Sequence, residues 1–313
     1  MTDRETHIAS AYLRREHGKH GLRDVALSYR TLADFCRALP EYDRADVVRL
    51  YALTGGIPAA AQETDANLRF EGNLMRLLVY DSAFSRLLPQ WMQESFRSPE
   101  SYYPILDSIA GGHHRLSEIA RDVGYAGNKC KTYLDALCQA DFVALENREY
   151  RLKNSYYKAW CLYVYEGRRM QIGNARVLLD RVKATVDEQI AMPVFRESCL
   201  RYMLKADRDY LREGRQGELK RDEIVNVPGM GKVKLDFCFL LPHCSLIGVC
   251  PESLEAHITK ETAAKIIYAV KEYYSLHDTD IVLFSAGRFS DWCVHQAAQL
   301  YWLHEVTTER LRY

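Results

Sequence analysis

The sequence lacks a surplus of charge of either sign, since its 313 residues carry 42 basic and 42 acidic side chains. A chain without net positive charge cannot bind nucleic acid through bulk electrostatics, so any nucleic-acid site has to be a local patch. No run of 18 apolar residues occurs, and the polar start MTDRETHIAS contains no apolar signal-peptide core. We therefore expect a soluble, cytoplasmic protein with no membrane partner.

Nucleotide-binding and metal-binding motifs are also missing. Neither G-x-x-x-x-G-K-[ST] nor G-x-G-x-x-G occurs, so we predict no ATP site in this chain. The pair Gly55-Gly56 is followed by Ile57-Pro58 and not by Lys-Ser/Thr, which is typical of a helix terminator. The nine cysteines are odd in number and form no C-x-x-C pair, which predicts free, buried thiols in a reducing compartment rather than disulfides or a zinc site.

The chain is long enough for two or three domains, and its pattern changes along its length. Residues 1–95 show apolar side chains at helical spacing. Residues 96–166 combine short helices with one alternating segment, and the remainder, 167–313, alternates between helices and strands. We therefore predict a multidomain protein of α and α/β class.

Residues 96–166 carry the most informative pattern. Helices are predicted over 101–110, over 118–123 with Ser117 as N-cap, and over about 126–140. Two alternating segments then flank Asn147-Arg148, which indicates a β-hairpin with a two-residue turn. Three helices followed by a hairpin are typical of a winged helix-turn-helix.

In such a module the third helix enters the DNA major groove and the hairpin contacts the backbone. The candidate DNA-binding residues are Arg115, Asn128, Lys129, Lys131, Thr132, Arg148 and Arg151. Residues 113–153 carry seven basic and six acidic side chains, a smaller excess than phosphate binding favours. Since winged helices also bind proteins, the pattern leaves both DNA and a protein partner open.

Residues 190–313 predict an α/β domain. We expect a helix from Pro193, strands near 223–227, 233–241 and 245–250, and a helix over 259–274. A buried strand over 281–285, a helix over 291–300 and a last strand over 302–306 follow. Carboxylates and a lysine on adjacent strands of such a domain would build a divalent-metal nuclease site.

Several segments together resemble the archaeal-type AAA ATPase family. They are LYALTGGIP at 50–58, Glu71-Gly72-Asn73, SYYPILDSIA at 101–110, the aromatic run at 156–160 and VLFSAGRF at 282–289. The resemblance implies a helical ATPase-lid-like segment (1–95), a winged helix-turn-helix (96–166) and a PD-(D/E)XK restriction-endonuclease-like domain with a mixed sheet (167–313). It also implies that the chain begins after the P-loop core of that family.

The resemblance places Asp236 at the strand aspartate of the nuclease motif and Glu197 at its helix acid. On the next strand, however, Val249 stands where the family has the second carboxylate, and Pro251 stands where it has the lysine. An active site would therefore need Glu252 as the second acid, with Asp236 and Glu252 binding Mg²⁺. Lys260 or Lys265 would have to act as a migrated lysine.

Three hypotheses follow from these residues. The first is a non-catalytic DNA-binding or regulatory protein with a degenerate nuclease-like domain and no cofactor. The second is a metal-dependent DNA nuclease that uses the migrated residues and Mg²⁺. The third is an interaction subunit that docks onto a separate ATPase chain through residues 30–95. Self-association is the other interaction with protein that we consider.

Overall fold

The computed structural model describes residues 31–79, 81–169, 174–206, 218–229, 231–240, 244–274, 278–287, 289–293 and 302–305. The chain divides into two compact units: one contains Leu50–Val186, and the other contains Leu32–Arg49 together with the residues from Asp187 onward. Helices, a two-stranded sheet and a five-stranded mixed sheet make up the described part. The prediction of an α and α/β protein is confirmed, whereas the division into three domains stays a prediction.

The helices of the first half are short. They are α1 (Leu32–Ala38), α2 (Arg44–Thr54), α3 (Pro58–Ala61), α4 (Phe70–Leu74), α5 (Ala83–Ser95), α6 (Tyr103–Ala110), α7 (Leu116–Val123) and α8 (Gly127–Gln139). A π-helical turn, Met75–Val79, extends α4, and a 3₁₀ turn, Pro99–Ser101, precedes α6. No described helix combines the length and apolar character needed to cross a bilayer.

Strands β1 (Val143–Glu146) and β2 (Glu149–Leu152) follow α8 and pair as an antiparallel hairpin. The turn residues Asn147 and Arg148 have φ angles of 51° and 65°, the left-handed conformation that a tight two-residue hairpin turn requires. Gly124 ends α7 in the same conformation, with φ 69°. The local turn chemistry therefore sets the bounds of these elements.

The predicted N-cap of the second helix in this segment is wrong. Helix α7 begins at Leu116, so Ser117 lies inside it, and Arg115 occupies the N-cap position. The carboxylate of Glu118 accepts the backbone N–H groups of Arg115 at 3.0 Å and His114 at 3.2 Å. These hydrogen bonds lower the pKa of Glu118, since they favour its charged form. An acid reaching back from inside the helix thus replaces the predicted serine cap.

Pro89 lies inside α5, where it lacks the N–H that a helix would use. Two aromatic side chains bind the backbone groups around it. The indole N–H of Trp160 donates to the carbonyl of Ser85 at 3.0 Å. The hydroxyl of Tyr156 donates to the carbonyl of Phe84 at 2.7 Å. The predicted aromatic run at 156–160 therefore stabilises an interrupted helix.

This aromatic run belongs to the next group of helices. They are α9 (Ser155–Ala159), the π-helical turn Trp160–Tyr165, α10 (Glu166–Arg169), α11 (Ala175–Val186), the π-helical turn Asp187–Ala191 and α12 (Met192–Ala206).

The five-stranded sheet contains β3 (Glu218–Val227), β4 (Gly231–Leu240), β5 (Cys244–Val249), β6 (Asp278–Ser285) and β7 (Trp302–Glu305), in that order. Strands β3, β4 and β5 are antiparallel neighbours, and β5, β6 and β7 run parallel. Helix α13 (Lys260–Tyr274) packs Ala263, Ile266 and Val270 into one core cluster with buried residues of β3, β4, β5 and β6. The spacing of these helix residues corresponds to one helical face. Of the helix predicted over 291–300, only 291–293 is described, and it is helical.

Arg49 contacts acids from three segments of the second unit. The Nε and Nη2 atoms of Arg49 lie 2.7 Å and 2.6 Å from the two carboxylate oxygens of Asp187. Further contacts reach Asp46 at 2.8 Å and Glu255 at 2.5 Å. These partners, with Asp187 foremost, raise the pKa of Arg49 further above its ordinary value. The network links α2, the π-helical turn at 187–191 and the loop after β5.

Candidate functional site

Asp236 lies in β4 and is the only buried acid among the described residues, with 2% of its surface exposed. Its neighbour Phe237 pairs with Gly248 of β5, which brings Asp236 to the carboxyl end of that strand. There the Oδ2 atom of Asp236 accepts the backbone N–H of Cys250 at 2.8 Å. The carboxyl end of a strand beside parallel strands is a common position for ligand sites.

Two cations occupy the other side of this carboxylate. The Oδ1 atom of Asp236 lies 3.2 Å from Nζ of Lys234 and 3.3 Å from Nε of Arg196. Neither contact has the alignment of a hydrogen bond, so the interaction is a pair of close charges. The aspartate side chain is 3% exposed, whereas those of Arg196 and Lys234 are 33% and 40% exposed. A buried negative charge is thus balanced by two cations whose other sides reach solvent.

Lys234 also binds a second acid. Its Nζ lies 2.5 Å from Oδ1 of Asp222, which lies in β3 between the residues paired with Phe237 and Leu235 of β4. Burial acts to lower the pKa of Lys234, but the carboxylates of Asp222 and Asp236 raise it above its ordinary value. Asp222 has φ 56°, a left-handed conformation that aspartate tolerates better than most residues. The lysine is therefore held charged between two aspartates.

The helix residue that contacts Asp236 is Arg196. The sequence had suggested Glu197, whose side chain is 46% exposed and lies 3.2 Å from Nε of Arg201 and 3.9 Å from Nη1 of Arg221. Adjacent helix residues point about 100° apart, so only one of the two can face the sheet. The sequence held no signal to distinguish them, since both are polar.

The other residues of the nuclease motif differ from Asp236 in their exposure and contacts. Val249 is 4% exposed and belongs to the core cluster of the sheet, and Pro251 is buried. Glu252 is exposed, and Lys260 is exposed with its Nζ 5.8 Å from the ring centroid of Trp292. Within the described residues, no group of three or more His, Cys, Asp or Glu side chains is placed to bind a metal ion. The residues around Asp236 do not fit Mg²⁺, because its Oδ1 atom faces two cations and the ammonium of Lys234 binds both this carboxylate and that of Asp222.

Two thiols lie next to Asp236. Cys199 of α12 and Cys250 interact through their side chains, and both are buried. Burial raises the pKa of Cys199 well above its ordinary value, which keeps it a neutral thiol. The eight cysteines whose side chains are described are all free thiols, as the sequence predicts, and six of them are buried.

A second candidate site lies on α8 and the hairpin of the first unit. Asn128, Lys129 and Thr132 are exposed at the start of α8, and Arg115 and Arg148 are exposed in the loop before α7 and at the hairpin tip. The Nζ of Lys129 lies 4.2 Å from the ring centroid of Tyr125, a cation–π contact that leaves the ammonium open on its outer side.

Internal contacts occupy the other candidate side chains. Lys131 forms an ion pair with Asp135 one turn along α8. Nη2 of Arg151 lies 2.6 Å from Oε2 of Glu149, and the hydroxyl of Thr132 donates to the carbonyl of Asn128 at 3.0 Å. The positive charge that α8 offers to an anion is therefore carried mainly by Lys129.

His114 fixes the hairpin against the helices. Its carbonyl accepts the backbone N–H of Tyr150 at 2.8 Å, and its Nδ1–H donates to the carbonyl of Tyr150 at 3.1 Å. These two bonds join β2 to the loop before α7. As a result, the hairpin and α8 present their exposed side chains in a defined arrangement. Nothing in the sequence pattern indicates this role.

Comparison with known proteins finds no match to a family model and no match among curated proteins. Several solved structures show weak similarity. The Walker-type ATPase Paby2304 of Pyrococcus abyssi is 19% identical over 42% of this chain and 39% of its own length, with a TM-score of 0.35. Can2 from Sulfobacillus thermosulfidooxidans, in complex with cyclic tetra-adenylate, is 10% identical over 74% of this chain and 55% of its own, with a TM-score of 0.26. VC1899 from Vibrio cholerae is 13% identical over 93% of this chain and 63% of its own, with a TM-score of 0.27.

In each case the chain spans less than two thirds of the length of the matched protein. All three TM-scores lie well below the level at which two structures share a fold, so none of them identifies the function of this chain.

Proposed function

We propose that this chain is a non-catalytic DNA-binding protein. In this proposal a winged helix-turn-helix, formed by α6, α7, α8 and the β1–β2 hairpin, binds duplex DNA. The α/β part, which resembles a PD-(D/E)XK nuclease in sequence, has exchanged its metal site for a buried ion pair.

The observation that carries the non-catalytic part is the environment of Asp236. Its carboxylate accepts the N–H of Cys250 and faces Arg196 and Lys234 at 3.3 Å and 3.2 Å. A metal ion would have to displace two cations to reach this oxygen, and metal-assisted hydrolysis depends on carboxylates that hold the ion in a fixed geometry. The side chain is therefore better suited to joining α12 to the sheet than to binding magnesium.

Support for DNA binding comes from the exposed cations Arg115, Lys129 and Arg148. They lie before α7, at the start of α8 and at the hairpin tip, the positions from which a winged helix contacts phosphates and base edges. Asn128, which is exposed next to Lys129, offers an amide to a base edge. With few available cations, we expect weak affinity and a shallow dependence on salt.

The DNA-binding proposal is tested by fluorescence anisotropy with labelled duplexes at several salt concentrations. We expect Arg148→Ala to weaken binding several-fold and to reduce the slope of log affinity against log salt by about 1, as loss of one phosphate contact does. Arg86→Ala is the matched control. It removes one exposed positive charge from α5 of the same unit, 61% exposed and outside the proposed interface. Equal effects of the two substitutions would contradict the proposed interface.

The non-catalytic proposal is tested by incubating the protein with plasmid DNA in Mg²⁺ or Mn²⁺. We expect no cleavage by the unmodified protein. Cleavage that disappears in Asp236→Asn would overturn the proposal and favour the metal-dependent nuclease. Cleavage that persists in Asp236→Asn would indicate a contaminating nuclease and would leave the assignment of Asp236 intact.

A further inference from the structure

A row of aromatic rings leads from the core of the first unit to the start of α8. Phe142 is 1% exposed, and its ring centroid lies 6.0 Å from that of Phe96. Phe96 stacks on Tyr102 with their centroids 4.0 Å apart. Tyr133 lies 4.9 Å from Tyr102 and 5.7 Å from Tyr125, again between centroids. Since the four rings after Phe142 are only partly buried, the row carries aromatic surface out of the core to α8.

Tyr125 is the last ring of this row, and its surroundings are open. It lies between α7 and α8, where its hydroxyl donates to the carbonyl of Ser101 at 3.3 Å. Its small chain neighbours Gly124, Ala126 and Gly127 are all exposed. A Cβ added at Gly124 or Gly127 would meet none of the described residues within 4 Å. The ring is therefore fixed by its hydroxyl beside residues that leave room for a flat ligand.

Lys129 supplies a positive charge at the same place. Its Nζ lies 4.2 Å from the ring centroid of Tyr125 and 5.7 Å from that of Tyr133. Lys131 pairs with Asp135, but no acid in the described part of the chain forms an ion pair with Lys129. A cation–π contact at an exposed site is weak. Because no carboxylate competes for it, the ammonium of Lys129 can turn from the ring to a phosphate.

We propose that Tyr125 and Tyr133, together with Lys129, bind an unpaired base of DNA. Aromatic rings stack on the face of any base, so such a site holds single-stranded nucleotides with little sequence preference. The base lies on the ring of Tyr125, with Tyr133 behind it, and Lys129 binds the adjoining phosphate.

This inference rests on the proposed function, since it names the form of DNA that α8 and the hairpin bind. The exposed cations Arg115 and Arg148 remain for the paired part of the DNA. The preferred ligand is therefore a duplex that continues into an unpaired segment.

Fluorescence anisotropy with a blunt duplex and with the same duplex carrying a single-stranded overhang, of either polarity, tests the site. We expect the overhang duplex to bind about tenfold more tightly, the order of magnitude that one stacked base contributes. Tyr125→Leu should lose this preference, whereas Tyr125→Phe keeps the ring and should retain it. Tyr268→Leu is the matched control, because it removes a tyrosine that is 41% exposed on α13 of the other unit. It should retain the full preference.

An overhang of abasic nucleotides tests the site without a protein variant. It keeps the phosphates and lacks the bases, so most of the tenfold gain should disappear. Equal affinities for the abasic and the ordinary overhang overturn the site, as does a preference that survives in Tyr125→Leu.

The same probes separate this inference from the proposed function. Equal affinities for the overhang duplex and the blunt duplex overturn the stacking site and leave duplex binding standing. Binding of the overhang strand alone, without binding of the duplex, contradicts the proposed function and supports the stacking site. Absence of binding to every probe contradicts both.

Discussion

Replacement of Arg196 by methionine should destabilise the protein through Asp236. The variant retains the alkyl part of the side chain and removes one of the two cations beside a carboxylate that is 3% exposed. Stranding a buried charge completely costs roughly 3–5 kcal/mol. Here Lys234 and the N–H of Cys250 remain at 3.2 Å and 2.8 Å, so we expect Arg196→Met to lower the free energy of unfolding by about 2 kcal/mol, below that range.

Urea unfolding followed by circular dichroism measures this loss, and Arg201→Met provides the control. Arg201 lies on the same helix and pairs with Glu197, but the two side chains are 73% and 46% exposed, so its loss should cost at most about 0.5 kcal/mol. In the Asp236→Asn background, Arg196→Met should cost about 1 kcal/mol less than in the unmodified protein. Equal costs for Arg196→Met and Arg201→Met, or equal costs in both backgrounds, would refute the ion-pair interpretation.

Two further pairs of substitutions test the packing of the first unit. Trp160→Phe leaves a buried carbonyl of α5 without its donor and should cost about 1–3 kcal/mol. In a Pro89→Ala background a backbone N–H becomes available to that carbonyl, so Trp160→Phe should lower the free energy of unfolding less, as measured by urea unfolding. The same loss in both backgrounds would refute the role of the indole. Gly55→Ala should lower the Tm more than Gly124→Ala. Both glycines have positive φ angles, of 59° and 69°. A Cβ at Gly55 would overlap the side chain of Asn154, whereas nothing lies within 4 Å of a Cβ at Gly124. The opposite ranking of the two Tm values in a thermal scan would contradict this packing.

Local sequence signals predicted the three helices and the hairpin of residues 96–166 closely. The Asn147-Arg148 turn and the stop at Gly124 are features of a few consecutive residues, and their positive φ angles depend little on the rest of the chain. The cap of α7 was predicted wrongly because Ser117 and Glu118 are both capping residues. Which of the two caps the helix depends on where its first turn starts. That start is fixed by the hydrogen bonds that the backbone N–H groups of Arg115 and His114 donate to the carboxylate of Glu118.

The candidate sites were predictable only in part. Asp236 was identified through the family resemblance, and β4 brings it to the end of β5. Its partners Arg196 and Lys234 were not identified. Arginines and lysines are common at the surface, and their spacing in the sequence does not indicate which acid each of them contacts.

By itself, the sequence determined the order of helices and strands over 96–153, the free state of the described cysteines and the near-neutral charge that limits electrostatic DNA binding. Those properties follow from composition and from interactions between near neighbours. Only the tertiary structure decided that Arg196 rather than Glu197 meets Asp236, and that Lys131 is neutralised while Arg148 is exposed at the hairpin tip. The physical reason is that the energy and the available contacts of a charged side chain depend on its partners and on the water around it. Distant parts of the chain supply those partners and exclude that water.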